Sequence, residues 1–346
     1  MSRWSRHRLT EAGRSFLALA LCMAVAAVGV DLWDDFSVTR VATDFFIVAG
    51  LVVALQVFVG NSGIVSFGHV AFFGTGAYVA ALVTIPPAIK AVALPELPGA
   101  IQDLEAGLAL AVVLGAMAAV ILALVTGIAL ARMQEAALAM ATLALLVLTH
   151  TVFANWADVT RGTIGIFGIP RTVTLWIAMG GGIAAIGLAL AFKASPVGLA
   201  LQATRDDPLA ARSLGINVAR TRLFGWAISA LLMGGMGALW AANALAFGPN
   251  EFFFAETFTL LSMLVIGGMA SVSGAVAGAA VVTIATELLR EVERGLTIGP
   301  LSLPELPGAV QLAIALLIMV TLVFRPAGLF GGHELRVPVA LPWRSR

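Results

Sequence analysis

Few side chains in this sequence are equipped for chemistry, and the best candidates cluster. Asn61, Ser62, Ser66 and His69 fall in one glycine-rich stretch, Val59 to Ala71, inside otherwise apolar sequence. Polar groups in such a setting usually face the interior of a helix bundle, where they can line a solute pathway or simply bond a neighbouring helix. Gly60-Asn61-Ser62-Gly63 also sets a serine between glycines, with His150 elsewhere as a candidate base. Serine hydrolysis needs that histidine within hydrogen-bond reach. Short glycine-serine patterns are common in a chain with 36 glycines, so the signal is weak. We nominate no catalytic residue.

Metal and nucleotide chemistry find no foothold. There is no H-E-x-x-H pattern, and Cys22 is the single cysteine. Lysine occurs only at Lys90 and Lys193, and neither completes a G-x-x-x-x-G-K-[ST] phosphate loop. No metal site and no cofactor are expected, and any ATP chemistry falls to another chain. No basic cluster interleaved with aromatics suggests nucleic acid.

A second chemically marked stretch runs from Arg205 to Asn217. Asp207 can cap a helix N-terminus, Pro208 suits the first helical position, and Gly215 can close the C-terminus. These signals predict a short helix over 207–214, too short to be stable alone in water. Such a helix needs a surface to dock on.

The elements that must hold these residues are membrane spans. Of 346 residues, 60% are apolar and 11% charged, and mean hydropathy is +1.01. That describes an all-α polytopic membrane protein, not a soluble domain. Apolar runs predict about ten spans: 15–30, 41–59, 67–85, 107–131, 136–154, 173–193, 222–246, 252–268, 272–290 and 309–324. The 252–268 span is the weakest, because Glu256 lies within it and Gly267-Gly268 ends it. Residues 3–14 with their arginines, followed by Ser15–Val30, read as a retained first span; a signal peptide has similar composition but a clear small-x-small cleavage site. No separate soluble domain fits. The chain divides into the first span, a group of spans over 41–193, a loop at 194–221, a second group over 222–324 and a tail at 325–346.

With ten spans, both termini lie on one side. Fourteen of the twenty Lys and Arg then share that side, including Lys193, Arg205, Arg212, Arg220 and Arg222. The positive-inside rule makes it the cytoplasm. Two stretches also echo each other: aligning Gly60 with Gly267 matches Val65 with Val272 and Ser66 with Ser273. Glycine-interrupted spans in repeated halves point to a pathway between them, which adds Gly267 and Gly268 to the pathway candidates; small residues at tight turns give the same pattern. Glu287 and Arg290, three residues apart, are expected to pair.

The stretch Gly63 to Tyr78 resembles the S-[LF]-G-H-x-A-F-F-G-x-G-A-Y signature of branched-chain amino acid ABC importer permeases. Ser195-Pro196-x-Gly198, the run Arg205 to Asn217, Ile266-Gly267-Gly268 and Phe324 to Gly331 fit the same family in order. The N-terminal span and long loop are more similar to the M-type than the H-type chain. Asn61-Ser62-Gly63 and Gly274-Ala275 depart from the usual pattern. The resemblance implies two ATP-binding subunits, a second, H-type permease and an extracytoplasmic solute-binding protein around a multi-pass subunit of the bacterial cytoplasmic membrane. It makes the 205–217 loop the ATPase coupling element: Leu209, Ala210 and Leu214 would seat in an ATPase groove, on a frame set by Asp207, Pro208, Ala211 and Gly215. Arg205 and Arg212 would reach the acidic rim, or else merely mark the cytoplasmic side. The implied cargo is branched-chain or related amino acids, with urea, short amides or aromatic acids as the alternative. An ATP-independent carrier is the rival class; it usually needs intramembrane carboxylates, and Asp44, Glu256 and Glu287 sit near span ends.

Overall fold

The computed structural model describes residues 3–293, 297–298, 301–302 and 308–335. Arg294, Pro300, Pro304, Pro307 and the tail from 336, with Arg336, Arg344 and Arg346, lie outside the described residues. So do the side chains of Arg3, Arg6 and Arg8.

The described residues are mostly helical, with two ribbons of two-residue strands. Helix α1 (Arg3–Trp33) leads into α2 (Phe36–Ser62), which starts before the expected residue 41 because Asp35 caps it, accepting from the Val38 amide at 2.9 Å. After α3 (His69–Thr84) come the short α4 (Pro87–Ala93) and α5 (Gly99–Gln102), then α6 (Leu108–Leu130), α7 (Glu135–Asn155) and the single turn α8 (Ala157–Thr160). Helices α9 (Leu175–Ala194), α10 (Pro196–Asp206) and α11 (Pro208–Ser213) lead to α12 (Val218–Ala244). The series closes with α13 (Phe254–Gly267), α14 (Val272–Glu293) and α15 (Ala309–Phe324). Strands β1 (Ile166–Phe167) and β2 (Ala246–Phe247) pair antiparallel, with Ile166 opposite Phe247. Strands β3 (Thr297–Ile298) and β4 (Leu301–Ser302) form the other ribbon.

Among the described residues, seven helices are long and apolar enough to cross a membrane, or eight if the α3–α4 pair, bent by 115°, is one span. The sequence pattern placed ten. The difference lies in α3, α13 and α15, of 16, 14 and 16 residues. At about 1.5 Å per residue α13 reaches only about 21 Å, against about 30 Å of hydrocarbon. It also starts later than expected, because Pro249–Phe252 forms a 3₁₀ turn.

Helices α2 and α12 form the centre. From Phe46 to Ser62 only Val48 of α2 keeps partial exposure, as expected of a span surrounded by others. Helices α3 and α6 pack closely on α12 through small residues: a Cβ at Gly76 would lie 2.1 Å from the Gly234 carbonyl oxygen, and one at Gly234 2.4 Å from Ala119 Cβ. Only glycine permits that approach. Lys90 of α4 is fully buried; its ammonium donates to the carbonyls of Ile101, at 3.1 Å, and Leu104, tying the 86–106 loop together.

Candidate functional site

The polar candidates converge at one end of the bundle, where two helix breaks meet the loop carrying α10 and α11. The first break follows α2: Gly63 takes φ +72°, and the chain restarts at His69. The second follows α13, where Gly268 takes φ +113° before Val272. The breaks touch. A Cβ at Gly60 would lie 2.1 Å from the Met269 carbonyl oxygen, towards which the Gln56 amide points at 3.5 Å.

Two residues of α10 fasten the first break to the loop. Arg205 donates from Nη1 to the Gly60 carbonyl at 2.9 Å, and its aliphatic stem covers Gly63. Gln202 donates to Asn61 Oδ1 and to the Lys193 carbonyl, both at 3.1 Å. Arg205, expected to reach outward, is therefore turned into the protein, with Asp206 completing its contacts at 3.2 Å. Residues 196–206, expected as part of the 194–221 loop, are helical: Ser195, accepting from the Gly198 amide at 3.1 Å, and Pro196 start a helix there.

Helix α11 is built as its local signals indicate. Asp207 accepts from the amides of Leu209 and Ala210 at 2.8 and 3.0 Å. At the far end Gly215, φ +82°, donates to Arg212 and Ile216 donates to Ala211, closing the last turn. The helix runs 208–213, slightly shorter than expected. Ala211 is buried against the bundle, while Leu209 and Leu214 are 75% and 79% exposed. Ala210 and Arg212 are exposed beside them.

The second break is joined to the same loop by two residues the sequence reading did not select. Lys193, at the end of α9, donates to the Ala270 carbonyl and to Glu334, each at 2.6 Å. Glu334 accepts from the amides of Val272 and Ser273 at 3.0 and 2.9 Å and from the hydroxyls of Ser271 and Ser273. It thus caps α14 from 61 residues away in sequence. Burial acts to raise the Glu334 carboxyl, but the Lys193 charge and these bonds outweigh it and hold it below the ordinary glutamate range. The segment after α15 folds onto Gly267 and Gly268: Leu329 donates to Ile266 and Phe330 to Gly267, at 2.9 and 3.1 Å. Those two glycines lie beneath backbone.

Ser66 and His69 are buried together. Ser66 Oγ and His69 Nδ1 are 2.8 Å apart, and the imidazole sits among Phe58, Phe72 and Trp226, with ring centroids 4.8–5.8 Å away. Both side chains are about 1% exposed, which denies a hydrolytic substrate access to this pair. Ser62 Oγ accepts from the Ile64 amide, and His150 bonds Asn250 and stacks on Phe253. No Ser62–His150 pair forms among the described residues.

Of the junction residues that the sequence analysis does not select, Gln56 carries a signal, as the lone polar side chain between Phe45 and Val59. Glu334 carries none.

A family model described as branched-chain amino acid transport system / permease component matches residues 37–323. The chain is 26% identical over 316 residues to the high-affinity branched-chain amino acid transport system permease protein LivM of Escherichia coli (strain K12), covering 80% of this chain and 68% of that one. The LivM protein of Salmonella typhimurium (strain LT2) matches to the same extent. A probable branched-chain amino acid transport permease protein LivH of Methanocaldococcus jannaschii is 30% identical over 141 residues, 40% of this chain and 41% of that one.

Proposed function

The chain belongs to the branched-chain amino acid transport permease family and is LivM-like, and on that footing we propose that it is the M-type membrane subunit of an ATP-driven amino acid importer. The observation that carries this reading is α11: a helix capped at both ends, seated through Ala211, with Leu209 and Leu214 exposed. Exposed leucines on a rigid, short helix suit a groove in another protein. Two ATP-binding subunits fill that role. An H-type permease and an extracytoplasmic binding protein complete the assembly, in a bacterial cytoplasmic membrane with both termini cytoplasmic. ATP is bound and hydrolysed by the partners, and this chain needs no cofactor.

Motion of α11 has a physical route inward. It passes to α10, then through Arg205 and Gln202 to Gly60 and Asn61, and through Lys193 to Ala270 and Glu334 at the second break. Both broken spans then move with the loop, opening a pathway between them to alternate sides. Cells expressing the chain with its partner subunits are expected to take up L-leucine in an ATP-dependent manner. Leu209→Asp combined with Leu214→Asp is expected to abolish that uptake while the protein still inserts and folds. Undiminished uptake by the double variant would contradict coupling through α11.

A further inference from the structure

A break in a helix strands the last carbonyls of one half and the first amides of the other. At the second break one segment, residues 328–335 after α15, takes up groups of both kinds. Its first foot stands on α13. The Leu329 and Phe330 amides donate to the carbonyls of Ile266 and Gly267, and Gly328, at φ +77°, sits so close that a Cβ there would lie 2.5 Å from Gly268 Cα. Its second foot stands on α14, where Glu334 accepts from the Val272 and Ser273 amides and the Leu335 amide donates to Ser273 Oγ at 2.9 Å.

The two feet are held differently. The α13 foot is backbone pairing at close approach, whereas the α14 foot is held through a carboxylate and a hydroxyl, groups that water also solvates. Between the feet Gly331 and Gly332 take φ +61° and +126°, yet a Cβ at either would meet nothing closer than 3.6 Å. Glycine serves there for backbone freedom and not for close packing, which is the character of a hinge. Beside the α14 foot there is room to move: a cavity of about 290 Å³ is lined by Glu11, Ser15, Lys193, Gln202, His333 and Glu334. We propose that residues 328–335 form a clasp across the second break, and that it opens during transport. The α13 foot stays in place, the chain turns at Gly331-Gly332, and Glu334 leaves α14 for the cavity. Lys193 lines that cavity, so the carboxylate keeps its counter-ion while Lys193 keeps its bond to the Ala270 carbonyl. With the clasp closed, α13 and α14 move as one body; with it open, α14 tilts against α13, as the halves of a broken span do when access changes sides. Clasp opening rests on the importer reading and adds a moving part to it.

The test is to lock the clasp. Ser273→Cys and Leu335→Cys, in a Cys22→Ser background, place thiols across the α14 foot, where a short bis-methanethiosulfonate reagent joins them. In proteoliposomes holding the assembled importer, cross-linking is expected to lower L-leucine uptake at least tenfold relative to the same protein untreated, and dithiothreitol to restore it. Each single-cysteine variant treated alike is expected to keep its uptake. Undiminished uptake by the cross-linked protein would overturn the clasp and make residues 328–335 a fixed brace. A second measurement reads opening without transport, from nitroxides on the exposed positions His333→Cys and Val281→Cys. Electron–electron resonance is expected to give one distance without nucleotide and a second, longer one when ATP and vanadate are added to the assembled importer. A single distance under both conditions would also overturn the clasp. If the cross-linked chain transports normally while Leu209→Asp with Leu214→Asp does not, the clasp fails alone. If wild-type uptake survives ATP depletion, the importer reading fails whatever the clasp does.

Discussion

Glu334 shows how much one side chain can organise here. It neutralises Lys193, caps the first turn of α14 and is bonded by two serine hydroxyls, so its removal leaves a lysine and two amides short of a partner. Hydrogen bonds to a charged group are worth about 1.5–3 kcal/mol, and a loss of about that size is expected for Glu334→Ala in thermal unfolding of the detergent-solubilised chain. The pH dependence has a definite sign. Because the folded carboxyl is held below its ordinary value of 4.5, its contribution is complete above that value. It is lost as the pH falls below 4.5 through the lowered folded value. Glu334→Gln is expected to lack that acid-side loss; a variant with the wild-type acid profile would show the carboxylate is not the group responsible. None of this was legible in the sequence. Lys193 and Glu334 are 141 residues apart, and each alone reads as an ordinary charge near a span end.

At the scale of elements, legibility followed locality. Helix α11 was readable because Asp207, Pro208 and Gly215 act within their own turn, and the structure places all three as the spacing implied. Helix α10 is less legible, because Ser195-Pro196 reads as part of a family motif as well as the helix cap it proves to be. The difference matters, since α10 carries Gln202 and Arg205 and makes the loop a rigid link. The span count was beyond sequence for another reason. Hydropathy reports that α3, α13 and α15 are apolar, but not whether a short helix is surrounded by lipid or by protein. An expected consequence concerns the cap of α11. Asp207→Ala should cost about 1 kcal/mol of local stability, and Gly215→Val should distort the turn, because a β-branched residue resists φ +82°. In the assembled importer both are expected to raise ATP hydrolysis per molecule transported, read as the ratio of phosphate released to leucine taken up. A wild-type ratio for Gly215→Val would show that the closing turn of α11 does not transmit force.

The whole molecule is polarised. One end gathers both helix breaks, the coupling loop and the segment after α15 into one hydrogen-bonded junction. The other holds a mixed-charge cavity between α2, α13 and α14. In the importer reading the first end faces ATP-binding subunits and the second faces the extracytoplasmic side. The ten-span reading of the charges implies a polarity of this kind; that the breaks touch is not legible in it, because contact between Gly60 and Met269 depends on the packing of helices far apart in the chain. Everything in the account depends on α11 lying in the cytoplasm against an ATP-binding subunit. The most direct measurement places a thiol at its exposed face, Leu214→Cys, in a Cys22→Ser background that removes the exposed native cysteine. The introduced thiol is expected to react with a membrane-impermeant maleimide in inside-out vesicles but not in intact cells, and to cross-link to an ATP-binding subunit when the importer is assembled. Labelling in intact cells, or a thiol that never cross-links to such a subunit, would contradict the account.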